Sequence, residues 1–207
     1  MDDKTRVAVI GGGAGGVFAA ITAAAKLGPR GEVTLYELTA HPQSAGGVPV
    51  VVIPVANPDG LAADTRTNAH HVDCNRNFPA TNWNPHAHSR NSNGGKQSAS
   101  EPETNAIMQT IERLNPRLII SVHSIGENRQ CNNYDGPAKE IADLMSRYNG
   151  YPSTATIGYP TPGSLGSWAG IDRKIPMITL ELPHNLPAAQ AWPNNRAAVL
   201  AAIGAVR

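Results

Sequence analysis

The stretch "RVAVIGGGAGGVFAA", residues 6–20, reads as a strand, a glycine loop and a helix. Its Gly11-x-Gly13-x-x-Gly16 spacing is the dinucleotide-binding fingerprint, in which bare backbone can approach a pyrophosphate. Two other residues stand where parallel sheets do chemistry, beyond the carboxyl ends of strands. His123 follows the apolar run "LIISV", and Glu181 lies near the end of "PMITLEL". A histidine and a glutamate at neighbouring strand ends make a candidate site. A capping histidine and a solvated glutamate would give the same pattern.

The elements that must position these residues alternate along the chain. Strands are expected at 6–10, 32–38, 48–56, 117–122 and 175–182. The run "VPVVVIPVA" is continuously apolar, as in strands buried on both faces. Helices are expected from Ala14 to about Leu27, from Ser100 to Leu114, over 137–150 and over 193–206. Ser100 and Glu103 fit a capping box, and Ile107, Met108, Ile111 and Leu114 form a buried stripe. Gly150 is placed to end one helix and Pro193 to begin another. Residues 57–100 are long, polar and irregular, which in a compact domain points to function or disorder. Strands alternating with helices predict an α/β fold: one three-layer domain, a mostly parallel sheet with helices on both faces.

Bulk properties narrow the class. A chain of 207 residues is long enough for a real core. A net charge of +1 gives no argument for nucleic acid or an acidic membrane surface. Residues 7–25 carry no charge and follow Lys4 and Arg6, as a signal or membrane segment would, but their glycine-rich middle suits a βα unit better. Cys74 and Cys131 are too few for a disulfide framework, and a reduced, cytoplasmic chain is expected.

Four ordered segments are more specific: "NPDG" (57–60), "VDCNRNFP" (72–79), "SVHS" (121–124) and "TLELP" (179–183). With "NFPATNW", "SEPET" and "TPGSLGSW", they resemble the zinc carboxypeptidases of family M14, in their murein peptide amidase branch, over residues 48–207. The resemblance implies a carboxypeptidase-like fold, zinc, and hydrolysis of a short peptide at its free-carboxylate end, with murein tripeptide as a candidate. It implies His123 as the third zinc ligand and Glu181 as the catalytic glutamate that activates a zinc-bound water and then protonates the leaving amine. It implies Asn75 and Arg76 as the grip on the substrate carboxylate. Arg66 would polarise the scissile carbonyl, Tyr159 would cap the substrate, and Asp73 would orient a ligand histidine.

The chain departs from that pattern at the metal. The family's first two ligands form H-x-x-E on a loop after an early strand, and none of the seven histidines is followed by glutamate at the third position. The glycine loop occupies that place, with Gly13 and Gly16 about where histidine and glutamate would stand. Residues 1–47 resemble instead the βαβ start of an NAD(P)/FAD-dependent flavoprotein. That resemblance implies a pyrophosphate at Gly11, Gly13 and Gly16, and ribose hydroxyls at Glu37, 21 residues after Gly16. No second Rossmann half follows.

The sequence thus reads as a hybrid joined near residue 47, its first segment packed in the same sheet as a body over 48–207. Three functions are expected from it. The first is a zinc-dependent carboxypeptidase or amidase, with His41, Glu37, His70, His71 and Glu127 as conceivable further ligands. The second is a peptide- or carboxylate-binding protein without catalysis. The third is an FAD- or NAD-binding fragment. The expected partner is a small peptide, with no nucleic acid and no membrane.

Overall fold

A computed structural model describes residues 7–11, 36–39, 49–85 and 92–206. Seven strands form one sheet in the order β2-β3-β1-β4-β7-β5-β6. They are β1 (Val7–Gly11), β2 (Tyr36–Thr39), β3 (Pro49–Ile53), β4 (Leu118–Ile125), β5 (Cys131–Asp135), β6 (Ser153–Thr154) and β7 (Met177–Pro183). The centre is parallel: β1 pairs β3 and β4, and β4 pairs β7. Antiparallel pairs flank it, β2 on β3 and β5 on β7. The sheet is therefore mixed with a parallel core, and the expected α/β class holds.

Strand periodicity divides the core into two layers, because alternate side chains point to opposite faces. On one face Leu118, Ile120, Val122, Ile178, Leu180 and Leu182 pack against Ala142, Met145, Ala198 and Ala202. Those partners lie on α3 (Lys139–Asn149) and α4 (Ala188–Ala205). On the other face Ile119 and Met177 pack with Ile107 and Ile111 of α2 (Pro102–Leu114), and with Phe78 and Trp168. Trp168 lies within a π-helical segment, Gly166–Asp172. Helices thus cover both faces of the sheet.

Four local expectations are corrected. The helix near 100 begins with Glu101 as N-cap and Pro102 next, and no side chain caps it. The Ser100 hydroxyl donates to Glu101 Oε1, and Glu103 takes the Asn68 amide, so the capping box does not form. The last helix starts at Ala188, with Pro193 inside it, beyond the first turn where a missing N–H is without cost. Strands β5 and β6 had no counterpart in the expected elements. Residues 57–100 hold a short helix, α1 (Pro58–Ala63), and a 3-10 turn at Cys74–Arg76. Asn57 caps α1 by accepting from the Gly60 N–H at 2.9 Å, so "NPDG" is a helix start. The expected helix at 14–27 lies outside the described residues.

Candidate active site

The row that builds the site crosses three strands. Glu181 on β7 lies in register with His123 on β4 and with Cys131 on β5. In-register residues share a face, so His123, Glu181 and Cys131 point the same way. The next rows bring Ser121, Thr179 and Asn133, then Met177 and Asp135. This is the α2 face of the sheet, and the strands that end here are the ones the sequence marked.

The second wall comes from the 3-10 turn. Asp73 caps it, with Oδ1 accepting from the Asn75 N–H at 3.0 Å. The same carboxylate takes Arg66 Nε at 2.7 Å on Oδ2, and Asp73 is itself buried. Asp73 was expected behind a ligand histidine; it orients Arg66 instead and ties that arginine to the turn carrying Asn75 and Arg76. Asn75 Oδ1 accepts from the Leu165 N–H at 2.8 Å, and the Gly163 carbonyl accepts from the Phe78 N–H at 3.0 Å. These bonds lock "TPGSLGSW" onto the turn. Gly163, at φ +64°, is needed there, because a Cβ would stand 2.4 Å from the Arg76 carbonyl oxygen.

Arg66, Asn75, Arg76, His123, Tyr159 and Glu181 line one polar pocket, together with Asp135. A wider cavity of about 290 Å3 adjoins it past Arg66, Asn75 and His123, bounded by Asn57, Asp73 and Phe78. Every residue expected at the peptide site thus reaches this cleft.

Two guanidiniums and two carboxyls, those of Arg66, Arg76, Asp135 and Glu181, set the electrostatics of the pocket. Arg76 is only 6% exposed; its Nη1 donates to the Asn75 carbonyl at 2.7 Å, and its buried Nε has no partner. A buried guanidinium with an unmet donor is costly until an acceptor arrives. Burial lowers its pKa, and Arg66 lowers it further. Glu181 is 5% exposed, and burial pushes its carboxyl up to about 7 while Arg66, Arg76 and Arg129 pull it down. His123 is held neutral, its pKa lowered to about 4 by burial and then by Arg66 and Arg76. Its Nε2 lies 2.9 Å from Ser121 Oγ. Asp135, missed in the sequence, is pushed up to about 6 by burial.

The donors among the described residues do not fit a zinc site. A catalytic zinc takes three protein ligands and leaves a fourth position open. His123 is a suitable neutral imidazole, but no group of three His, Cys, Asp or Glu among the described residues could hold a metal. His70 Nδ1 is engaged with Glu101 Oε2 at 2.7 Å, and Glu127 accepts from Asn185 on an exposed turn. His41 and the Glu37 side chain lie outside the described residues. The register Gly11↔Val122 brings the end of β1 beside His123, and the chain leaves it as Gly12-Gly13-Ala14-Gly15-Gly16, with no side chain that ligates. Of the fingerprint, Gly11 ends β1, whereas Gly13 and Gly16 lie outside the described residues. Both cysteine thiols are free and buried, Cys131 pushed up to about 11 by burial and Glu181.

Residues 45–135 match the family model described as "Zinc carboxypeptidase" (peptidase M14). The murein peptide amidase A of Escherichia coli K12 is 36% identical over 143 residues, 64% of this chain and 57% of that protein. Its Vibrio campbellii namesake is 34% identical over 145 residues, 64% of this chain and 56% of that protein. The chain therefore spans rather more than half the length of these curated relatives. The crystal structure of murein-tripeptide amidase from E. coli O157 matches with a TM-score of 0.70 and 25% identity, over 98% of this chain and 82% of that one. Over the matched residues the chain is similar to the zinc carboxypeptidases, and the relatives it matches are amidases by name. The matches lend no support to the flavoprotein resemblance of residues 1–47, nor to FAD or NAD. No helix among the described residues is long and apolar enough to cross a membrane.

Proposed function

We propose that this chain recognises a short peptide by its terminal carboxylate in a site of the peptidase and amidase type, and that the residues present bind it without supplying a complete zinc centre. The observation that carries this reading is the buried Arg76 with its unpartnered Nε, facing a cleft that also holds Arg66, Asn75, Tyr159 and Glu181. Arg76 and the Asn75 amide nitrogen take the carboxylate. Arg66, held by Asp73, stands to hydrogen-bond the carbonyl of the terminal peptide bond. Tyr159, 45% exposed at the rim, covers the ligand. Among the hydrogen bonds of the described residues the Asp135 side chain makes none, burial raises its pKa, and an ammonium on the terminal residue would pair with it. A murein-type peptide ending in a diamino acid has that chemistry, and the relatives' names point the same way.

Titration calorimetry tests this. Murein tripeptide should bind, its C-terminal amide should bind far more weakly, and Arg76→Ala should cost about 100-fold, because a buried charge-assisted pair is lost. Asp135→Asn should weaken the tripeptide but not an analogue lacking the side-chain amine. Equal binding of acid and amide would overturn the reading.

One observation favours hydrolysis as a second reading. Glu181, with a pKa near 7, can both accept and return a proton at neutral pH. Cleavage of the tripeptide that disappears in Glu181→Gln would establish it.

A further inference from the structure

Arg129 stands in the turn between β4 and β5 and reaches the segment that bears Tyr159. Its Nη2 donates to the Ile157 carbonyl. Its guanidinium lies over the Tyr159 ring, 5.8 Å from the centroid. The segment otherwise holds itself by short-range bonds. Thr154 Oγ1 donates to the Thr156 carbonyl, the Thr156 N–H returns to Thr154 Oγ1, and the Gly158 N–H donates to Thr156 Oγ1. Up to Thr154 the chain is fastened to β5, where Asn133 Nδ2 donates to the Thr154 carbonyl. Among the hydrogen bonds of the described residues, the Arg129 bond is the one that ties residues 155–160 to another part of the fold. Gly158 makes room for it: φ is +89°, and a Cβ would stand 3.2 Å from Arg129 Nη2. Both Ile157 and Tyr159 line the polar pocket with Arg76 and Glu181.

We propose that Arg129 is a positioning residue, a latch that holds the Ile157–Tyr159 turn over the cleft through one hydrogen bond and one cation–π contact. Arginine suits the task, since a planar fork can donate along its edge while its face lies on an aromatic ring. Lysine can offer the charge but not both contacts at once. What Tyr159 closes on rests on the peptide reading above; the latch itself does not.

Two measurements test it separately. Hydrogen exchange on the protein without ligand should show the amides of residues 156–160 exchanging about tenfold faster in Arg129→Ala, with α4 unchanged. Calorimetry with murein tripeptide should show Arg129→Ala weakening binding by about 5- to 10-fold. Arg129→Lys should recover part of that loss. In a Tyr159→Ala background, Arg129→Ala should cost less than about twofold, because the two side chains act as a unit. Unchanged exchange in Arg129→Ala would overturn the latch, as would losses that add independently of Tyr159. If the tripeptide fails to bind the unaltered protein, the peptide reading falls and the exchange result alone decides the latch.

Discussion

Glu181 is hemmed between His123 and Cys131 across three strands, and that placement has a consequence for stability. Its folded pKa of about 7 lies above the ordinary carboxylate value of 4.5. Between those two pH values the native state keeps a proton that the unfolded chain has released. The stability this group contributes is full below about pH 4.5 and is lost as pH rises through about 7. Glu181→Gln cannot ionise, so the variant should gain on the parent as pH rises from 5 to 8, by up to about 3 kcal/mol. Denaturant titrations at the two pH values would measure it, and a difference independent of pH would contradict the burial argument. His123 runs the other way, with a folded pKa of about 4 against an ordinary 6.5. Its contribution is full above pH 6.5 and is lost as pH falls through 4. At this scale the sequence was informative where residues end apolar strands: His123 and Glu181 stand out by position alone. Asp135 and Arg129 did not, because "CNNYD" and the turn before it have no apolar pattern that announces a strand.

The elements explain why that strand was missed. In β5 the buried Asn132 stands in for an apolar residue by meeting its own hydrogen-bonding needs. Its Nδ2 donates to Ser146 Oγ, Asn149 Oδ1 and the Tyr151 carbonyl, which fastens β5 to the end of α3. Helix α2 was legible through Ile107 and Ile111, both buried as their spacing requires. Its start was not, since Asn68 and Ser100 engage Glu101 and Glu103 from a distant loop and displace the local cap. The 3-10 turn and the "TPGSLGSW" segment act as one unit, and Gly163 is the joint between them. Gly163→Ala meets both an unfavourable φ and the Arg76 carbonyl. It should destabilise the fold by about 1–3 kcal/mol and weaken carboxylate binding by misplacing Arg76. Thermal unfolding and tripeptide titration of that variant would show both effects together; a stable variant with weakened binding, or the reverse, would separate the two elements.

Across the whole molecule, the strand order was the least legible feature. Nothing local says that β1 lies between β3 and β4, since that depends on which apolar strand buries which. Yet this order brings Gly11, the end of β1, in register with Val122 beside His123, and the sequence after it, Gly12 to Gly16, carries no residue type that ligates a metal. The residues proposed to grip the peptide, Arg66, Asn75, Arg76 and Tyr159, line one pocket with His123 and Glu181. The most direct measurement is therefore made on metal-stripped protein: murein tripeptide is titrated in the presence of a chelator, and then with zinc added, while bound metal and cleaved product are followed. The tripeptide should bind without metal, zinc should not be retained at one per chain, and no product should form. One tightly held zinc per chain, with the tripeptide binding or cleaved only when it is present, would contradict the proposed function.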